Sequence, residues 1–336
     1  MIISRTPFRL SFFGGGTDYN AWFEHYGGKI VATTVPYFCY LSVRSLPPFF
    51  EDHISRVVYS KIESVEDNKQ IRHPSVRGCL EYLGISSGVE IHHDGDLPAR
   101  SGIGSSSAFT VGLLHALYGL KETMVDSRNL ALQAIEIEQK KLGESVGIQD
   151  QIMAAYGGLR IIEMGPGNNW NVKPLVLPQD YQSELERHVL LGFSGISRFA
   201  EKHAEAKVRN ITEGKTVSEL QEIASIAEDA VQAFTRQDAM NRIGTLLDAS
   251  WKLKRRLADG VSAQWMDDLY DVAQQNGAFG GKLMGAGGGG FFFFLAPPEK
   301  HQKIRKALSQ IKVWVPFKIE PVGSRLIYYD LDNRTT

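Results

Sequence analysis

"LPARSGIGSSSAFTVGLLHAL", residues 97–117, decides the fold. Pro98 closes an extended stretch and Gly102 and Gly104 free the backbone; Val111, Leu114 and Leu117 then recur at helical spacing. Ser105, Ser106 and Ser107 therefore stand at the start of a helix. Amide N–H groups there have no intrahelical acceptor, and the helix dipole favours negative charge. N-capping accounts for one serine but poorly for three in a row, because helix interiors mildly disfavour Ser. The run points to a bound anion, and phosphate is the natural occupant. A flexible linker would not lead straight into an apolar helix.

Two more glycine-rich stretches lie on either side of this one. "FFGGGTDYN" (12–20) follows a strand-like run, and its glycines permit a sharp turn and close approach to a ligand before Thr17 and Asp18. The alternative reading is a tight turn with Asp18 as an N-cap. "KLMGAGGGGFFFFLAPPEK" (282–300) supplies backbone without side chains, then four phenylalanines that read as a buried strand. "NITEGKT" (210–216) ends like a nucleotide-binding P-loop, but Arg209 stands where that motif needs glycine and no strand precedes it. Thr216 reads as the cap of the next helix.

Two carboxylates are out of place. In the helix expected over 127–142, Glu138 falls on the face of Ala131, Ala134 and Ile135, where a charge is costly unless paired or metal-bound. Glu136 lies on the polar side. Asp150, in "GESVGIQDQIMAAYGG" (143–158), follows a glycine-containing loop and sits at the start of a short helix, as a helix-start residue or a functional one. His92 and His93 are adjacent on a strand and point to opposite faces, which argues against a shared metal.

The 336 residues suffice for two domains, expected over 1–180 and 181–336, with the junction after Pro178. Strands come in consecutive runs in the first half, and helices dominate the second (197–209, 217–234, 237–257, 262–276, 298–311). That order indicates an α+β chain rather than a doubly wound sheet. A formal net charge of −1 gives no electrostatic reason to expect nucleic acid or an anionic membrane as partner. Cys39 and Cys79 form neither a disulfide framework nor a zinc spacing, and "MIISRTPFRLSFF" carries arginines where a secretion signal needs its apolar core. A reducing cytoplasm is the expected setting.

Together, "RTPFRLSFFGGGTDY", "PARSGIGSSSA" and "KLMGAGGGGF" resemble, in order, the three motifs of the GHMP kinases, the superfamily of galactokinase, homoserine kinase, mevalonate kinase and phosphomevalonate kinase. With "LGESVGIQDQIMAAYGG" and "GISR", the chain is similar to the bacterial kinases of D-glycero-D-manno-heptose 7-phosphate. The resemblance implies a two-domain fold: a mixed α/β N-terminal domain and a helix-rich, ferredoxin-like α+β C-terminal domain. It implies ATP held by the backbone of Gly102, Ile103, Gly104, Ser105, Ser106 and Ser107, and Mg2+ on Ser106 and Glu138. It further implies Asp150 as proton acceptor, Arg9 as charge stabiliser, and a sugar phosphate bound by Gly15, Gly16, Thr17, Asp18, Gly285, Gly287, Gly288 and Arg198. Galactokinases have Gly-Glu-His where this chain has Gly14, Gly15 and Gly16, which counts against galactose. Cations for a 7-phosphate are sought among Arg5, Arg72, Arg100, Lys140, Lys141 and Arg198. The implied product is a heptose 1,7-bisphosphate for GDP-heptose and bacterial capsule or lipopolysaccharide, and a homodimer is a further expectation. The alternatives are a kinase of an unphosphorylated sugar (heptose, mannose, fucose or galactose type) and a sugar-binding regulator without catalysis.

Overall fold

The computed structural model describes residues 1–47, 49, 52–167, 169–195 and 201–331. Strand β1 (Ile2–Phe13) is antiparallel to the long β2 (Gly28–Ser45). Their register jumps between Pro7 and Phe8, so Pro36 and Tyr37 sit in a bulge, where a proline without a ladder N–H is tolerated. Beyond β2 the sheet continues through β5 (Val89–Gly95) to the hairpin of β3 (Ser55–Val58) and β4 (Ile62–Val65); β6 (Arg160–Gly165) and β7 (Asn169–Pro174) extend from the start of β2. The stretch 55–65 is therefore two strands with a turn, where its β-rich sequence reads as one. The opposite edge is β12 (Arg325–Tyr329), paired with β1, so the end of the chain returns to the sheet of its beginning.

After the short helices α1 (Asn20–Tyr26) and α2 (Pro74–Tyr82), α3 (Ser105–Leu120) packs on β1 and β2. Its apolar residues are not confined to one stripe, and most of them are buried, the mark of a helix covered on nearly all sides. Gly112 lets it approach β1: a Cβ there would come within 2.7 Å of the Thr6 hydroxyl.

The helix expected over 127–142 is α-helical only as α4 (Ser127–Glu136); residues 137–141 form a π-turn, with the Leu142 N–H bonded to the Ile137 carbonyl. The added residue in that turn places Ile137 and Glu138 side by side in the interior, a use typical of π-turns at functional sites.

A second sheet is antiparallel, in the order β11 (Val313–Val315), β8 (Val189–Phe193), β10 (Phe291–Leu295), β9 (Gly280–Leu283). The four phenylalanines form β10 and are all buried. Helices α6 (Gln179–His188), α7 (Glu201–Thr212), α8 (Val217–Arg236), α9 (Met240–Lys254) and α10 (Gln264–Gln275) belong to the second half, and 298–311 is a short 3-10 turn followed by α11 (His301–Ala307). Thr216 occupies the N-cap position of α8, but its buried hydroxyl has no partner among the described residues, so it does not cap. One apolar cluster joins the two halves: Phe12 meets Phe234, Phe293 and Phe317 edge to face at 6.2, 5.5 and 6.4 Å. Among the described residues, no helix is long and apolar enough to cross a membrane.

Candidate active site

The bulge before Phe8 sets the facing of Arg9, which is 5% exposed, and the Arg9 N–H ties β1 to the Ile103 carbonyl. Asp150 lies in the first turn of α5 (Gln149–Tyr156). The two side chains meet fork to fork, Nε to Oδ1 at 2.7 Å and Nη2 to Oδ2 at 2.8 Å, the geometry that fixes a carboxylate most firmly. Arg9 Nη1 also donates to the Gly102 carbonyl. Gln149 Nε2 donates to Asp150 Oδ1 at 3.1 Å, while its own oxygen accepts from the Ser11 hydroxyl at 2.8 Å. Oδ1 thus has two donors and Oδ2 one, which leaves Oδ2 the oxygen with capacity for another proton.

The glycine loop wraps this pair. Gly104 has φ +73°, and a Cβ on it would lie 3.0 Å from Arg9 Cγ and 3.2 Å from Asp150 Oδ2. Gly104 is also the N-cap of α3, and no side chain caps the helix. The capping alternative for the serines therefore fails, and the first-turn amides keep no side-chain acceptor. Ser105 Oγ accepts from the Arg100 N–H, Ser106 is exposed, and Ser107 is buried.

It is Ser107, not Ser106, that reaches Glu138: its hydroxyl donates to Oε2 at 2.9 Å, and Gln151 Nε2 donates to the same oxygen. Glu138 is fully buried, and among the described residues its Oε1 has no partner. Burial pushes its carboxyl up to about 7, with the Glu144 charge adding, against the hydrogen bonds from Ser107 and Gln151. A buried, half-satisfied carboxylate beside serines at an anion-attracting helix start fits a divalent cation. Among the described residues, no cluster of three or more His, Cys, Asp or Glu forms a metal cage; a Mg2+ that keeps waters and nucleotide oxygens needs none.

Asp18 is also buried; it accepts from the Gly16 N–H at 3.0 Å, and burial raises its carboxyl above the usual range. Gly147 makes this possible, since a Cβ there would fall 2.0 Å from Asp18 Oδ2. Thr17 turns inward and donates to the Gly14 carbonyl at 2.8 Å, so its hydroxyl holds the turn and does not face the site. Gly16 packs under Leu220 and Leu257, while Gly15 opens toward Ser11 and Lys282. Of the C-terminal glycines, Gly285 lies against Gly102 and Gly287 against Val261, and Gly288 has φ +79°. The C-terminal glycine motif thus braces the first glycine loop backbone to backbone.

The cations sought for a second phosphate are elsewhere. Arg5 lies over the Phe38 ring at 4.1 Å, Arg72 and Arg100 are exposed, Lys140 and Lys141 pair with Glu136 and Glu81, and Arg198 lies outside the described residues. The structure instead buries Lys207, Lys254 and Lys282 around the site. In the sequence only Lys282 carried a signal, as a lone charge between glycines and an apolar strand; Lys207 and Lys254 sit among other charges.

The chain matches the family models "GHMP kinases N terminal domain" over residues 74–158 and "GHMP kinases C terminal" over 230–312. It is 31% identical to a D-glycero-alpha-D-manno-heptose 7-phosphate kinase of Campylobacter jejuni, over 94% of this chain and 95% of that one. A solved sugar kinase described as putative, also from Campylobacter jejuni, aligns with TM-score 0.75 and 26% identity over 97% of both chains. The fold is also that of a D-glycero-D-manno-heptose 1-phosphate kinase from Bacteroides thetaiotaomicron, with TM-score 0.78, 23% identity, and 97% of this chain and 98% of that one covered. With the glycine loop, its abutting C-terminal glycines and this likeness along nearly the whole length, the chain belongs to the GHMP kinases and is an ATP-dependent phosphotransferase of their two-domain fold.

Proposed function

We propose that this kinase phosphorylates the anomeric hydroxyl of D-glycero-D-manno-heptose 7-phosphate, giving the 1,7-bisphosphate from which a GDP-activated heptose for bacterial surface polysaccharide is made. The observation that carries the reading is the end-to-end likeness, at 31% identity, to a heptose 7-phosphate kinase. The Arg9–Asp150 fork beside the glycine loop supports it chemically.

In this reading the ATP phosphates rest on the free amides of Gly102–Ser107. The sugar's anomeric oxygen bonds to the γ-phosphorus as the bond from the β,γ-bridging oxygen to that phosphorus breaks, ADP leaves, and the hydroxyl proton passes to Asp150 Oδ2. Arg9 holds both oxygens of Asp150 in place and supplies positive charge where negative charge gathers. An anomeric hydroxyl is more acidic than an ordinary alcohol, which eases its proton's transfer to a carboxylate held in place. Asp18 and the backbone at Gly15 would bind sugar hydroxyls. Glu138, with Ser106 or Ser107, would hold Mg2+, which neutralises phosphate charge when bound.

Incubation with heptose 7-phosphate and ATP, read by mass spectrometry, should give a product one phosphoryl group heavier together with ADP. Equal turnover of unphosphorylated heptose would overturn the 7-phosphate assignment.

A further inference from the structure

Three buried lysines from three different elements lie within electrostatic reach of one another, Lys207 of α7, Lys254 at the end of α9 and Lys282 of β9, 3%, 7% and 2% exposed, and Lys282 faces Gly15 of the glycine triplet. Each lies within electrostatic reach of Asp18, the acid that acts on all three, while Asp150 is taken up by Arg9. Lys254 and Lys282 also feel the Arg9 charge. The cluster therefore sets four buried basic side chains against the two carboxylates of Asp18 and Asp150.

Buried charge of one sign is retained only where something neutralises it. Lys254 spends its protons on the Leu283 and Gly285 carbonyls, so it braces the C-terminal glycine loop. Lys282 donates to the Phe12 carbonyl and faces the open side of Gly15, where a Cβ would lie 3.9 Å from Nζ. The Lys207 ammonium has no hydrogen-bond partner among the described residues. In keeping with this, burial draws the Lys207 and Lys282 amines down to about 8 and about 7.

We propose that Lys207 and Lys282 form the seat for the second phosphate of a phosphorylated acceptor, a dianion held behind Gly15 while its hydroxyl end faces Asp150. This deepens the function proposed above and rests on it for the identity of the acceptor. The seat is separate from that of the nucleotide: Lys282 borders Phe12 and Gly15 and Lys207 lies within electrostatic reach of Asp18, whereas the glycine loop borders Arg9, Asp150 and Gly285. A tetrahedral dianion brings acceptor oxygens for both ammonium groups and restores charge balance, which an unphosphorylated sugar does not.

The test fills the nucleotide site with a non-hydrolysable ATP analogue and titrates inorganic phosphate, following thermal unfolding. Phosphate should raise the melting temperature of the wild type and leave that of Lys207→Met unmoved, because only a ligand of the folded state shifts it. Without phosphate, Lys207→Met should melt no lower than the wild type, since it removes an unbalanced buried charge. In turnover, Lys207→Met and, separately, Lys282→Met should raise KM for the sugar phosphate at least tenfold. Selectivity over the unphosphorylated sugar should fall by a similar factor, and KM for ATP should stay within about twofold. An equal phosphate-induced shift in wild type and variant, or a rise in KM confined to ATP, overturns the proposal. If the wild type ignores heptose 7-phosphate yet phosphate protects it through Lys207, the heptose reading falls and the phosphate seat stands, for a different phosphorylated acceptor.

Discussion

Glu138 shows how one side chain links burial, pH and chemistry. Its carboxyl titrates at about 7 in the folded chain, against an ordinary value of 4.5. In the metal-free protein the unfolded chain gives up this proton near 4.5 and the folded chain keeps it to about 7. Between those values the folded state holds more protons, so stability falls as pH rises, by about 3 kcal/mol in all. Denaturant unfolding in chelator should show that decline in the wild type and a flatter profile in Glu138→Gln; equal slopes would remove Glu138 as its source. For Asp150, the isosteric Asp150→Asn should lower kcat by roughly 10²–10⁴-fold with the fold intact, measured as ADP release. A fully active variant would show that Asp150 does not take the proton.

At the scale of elements, the site is assembled from the ends of α3 and α5, the π-turn and the middle of β1. Gly102 is the joint between the two glycine loops, with φ +82° and a would-be Cβ 2.5 Å from the Met284 carbonyl. Gly102→Ala should displace both glycine loops together, raising KM for ATP about tenfold or more, while circular dichroism stays near that of the wild type. An unchanged KM would mean that the loop's backbone does not hold the nucleotide. The π-turn was not legible: a periodic apolar pattern over 127–142 reads the same whether or not one turn is widened. Its position after α4 depends on what Glu138 meets across the interior, Ser107 and Gln151.

For the whole molecule, the larger apolar cluster spans both expected halves, and a strand crosses between them. Phe12 packs on rings at 234, 293 and 317, and β12 closes the sheet begun by β1. Calorimetry and circular dichroism should therefore give one coincident unfolding transition. Phe12→Ala should lower stability by about 3–5 kcal/mol while keeping it single. Two separated transitions would show that the halves fold independently.

The sequence by itself determined the pieces that depend on short-range rules: the helix start at Ser105, set by glycines ahead of apolar spacing; the buried strand at Phe291–Phe294; and the anomaly of a carboxylate at 138 on an apolar face. Arg9 and Asp150 were legible through family resemblance, although no local rule joins positions 141 residues apart. Only the tertiary structure decided that Ser107 faces Glu138, that β12 returns to β1, and that Lys207, Lys254 and Lys282 point inward. The reason is physical. Capping and periodicity act over a turn or a strand, whereas the partner of a buried charge is set by which distant elements pack against it, and a lysine in a helix reads alike whether its ammonium meets water or a buried pocket.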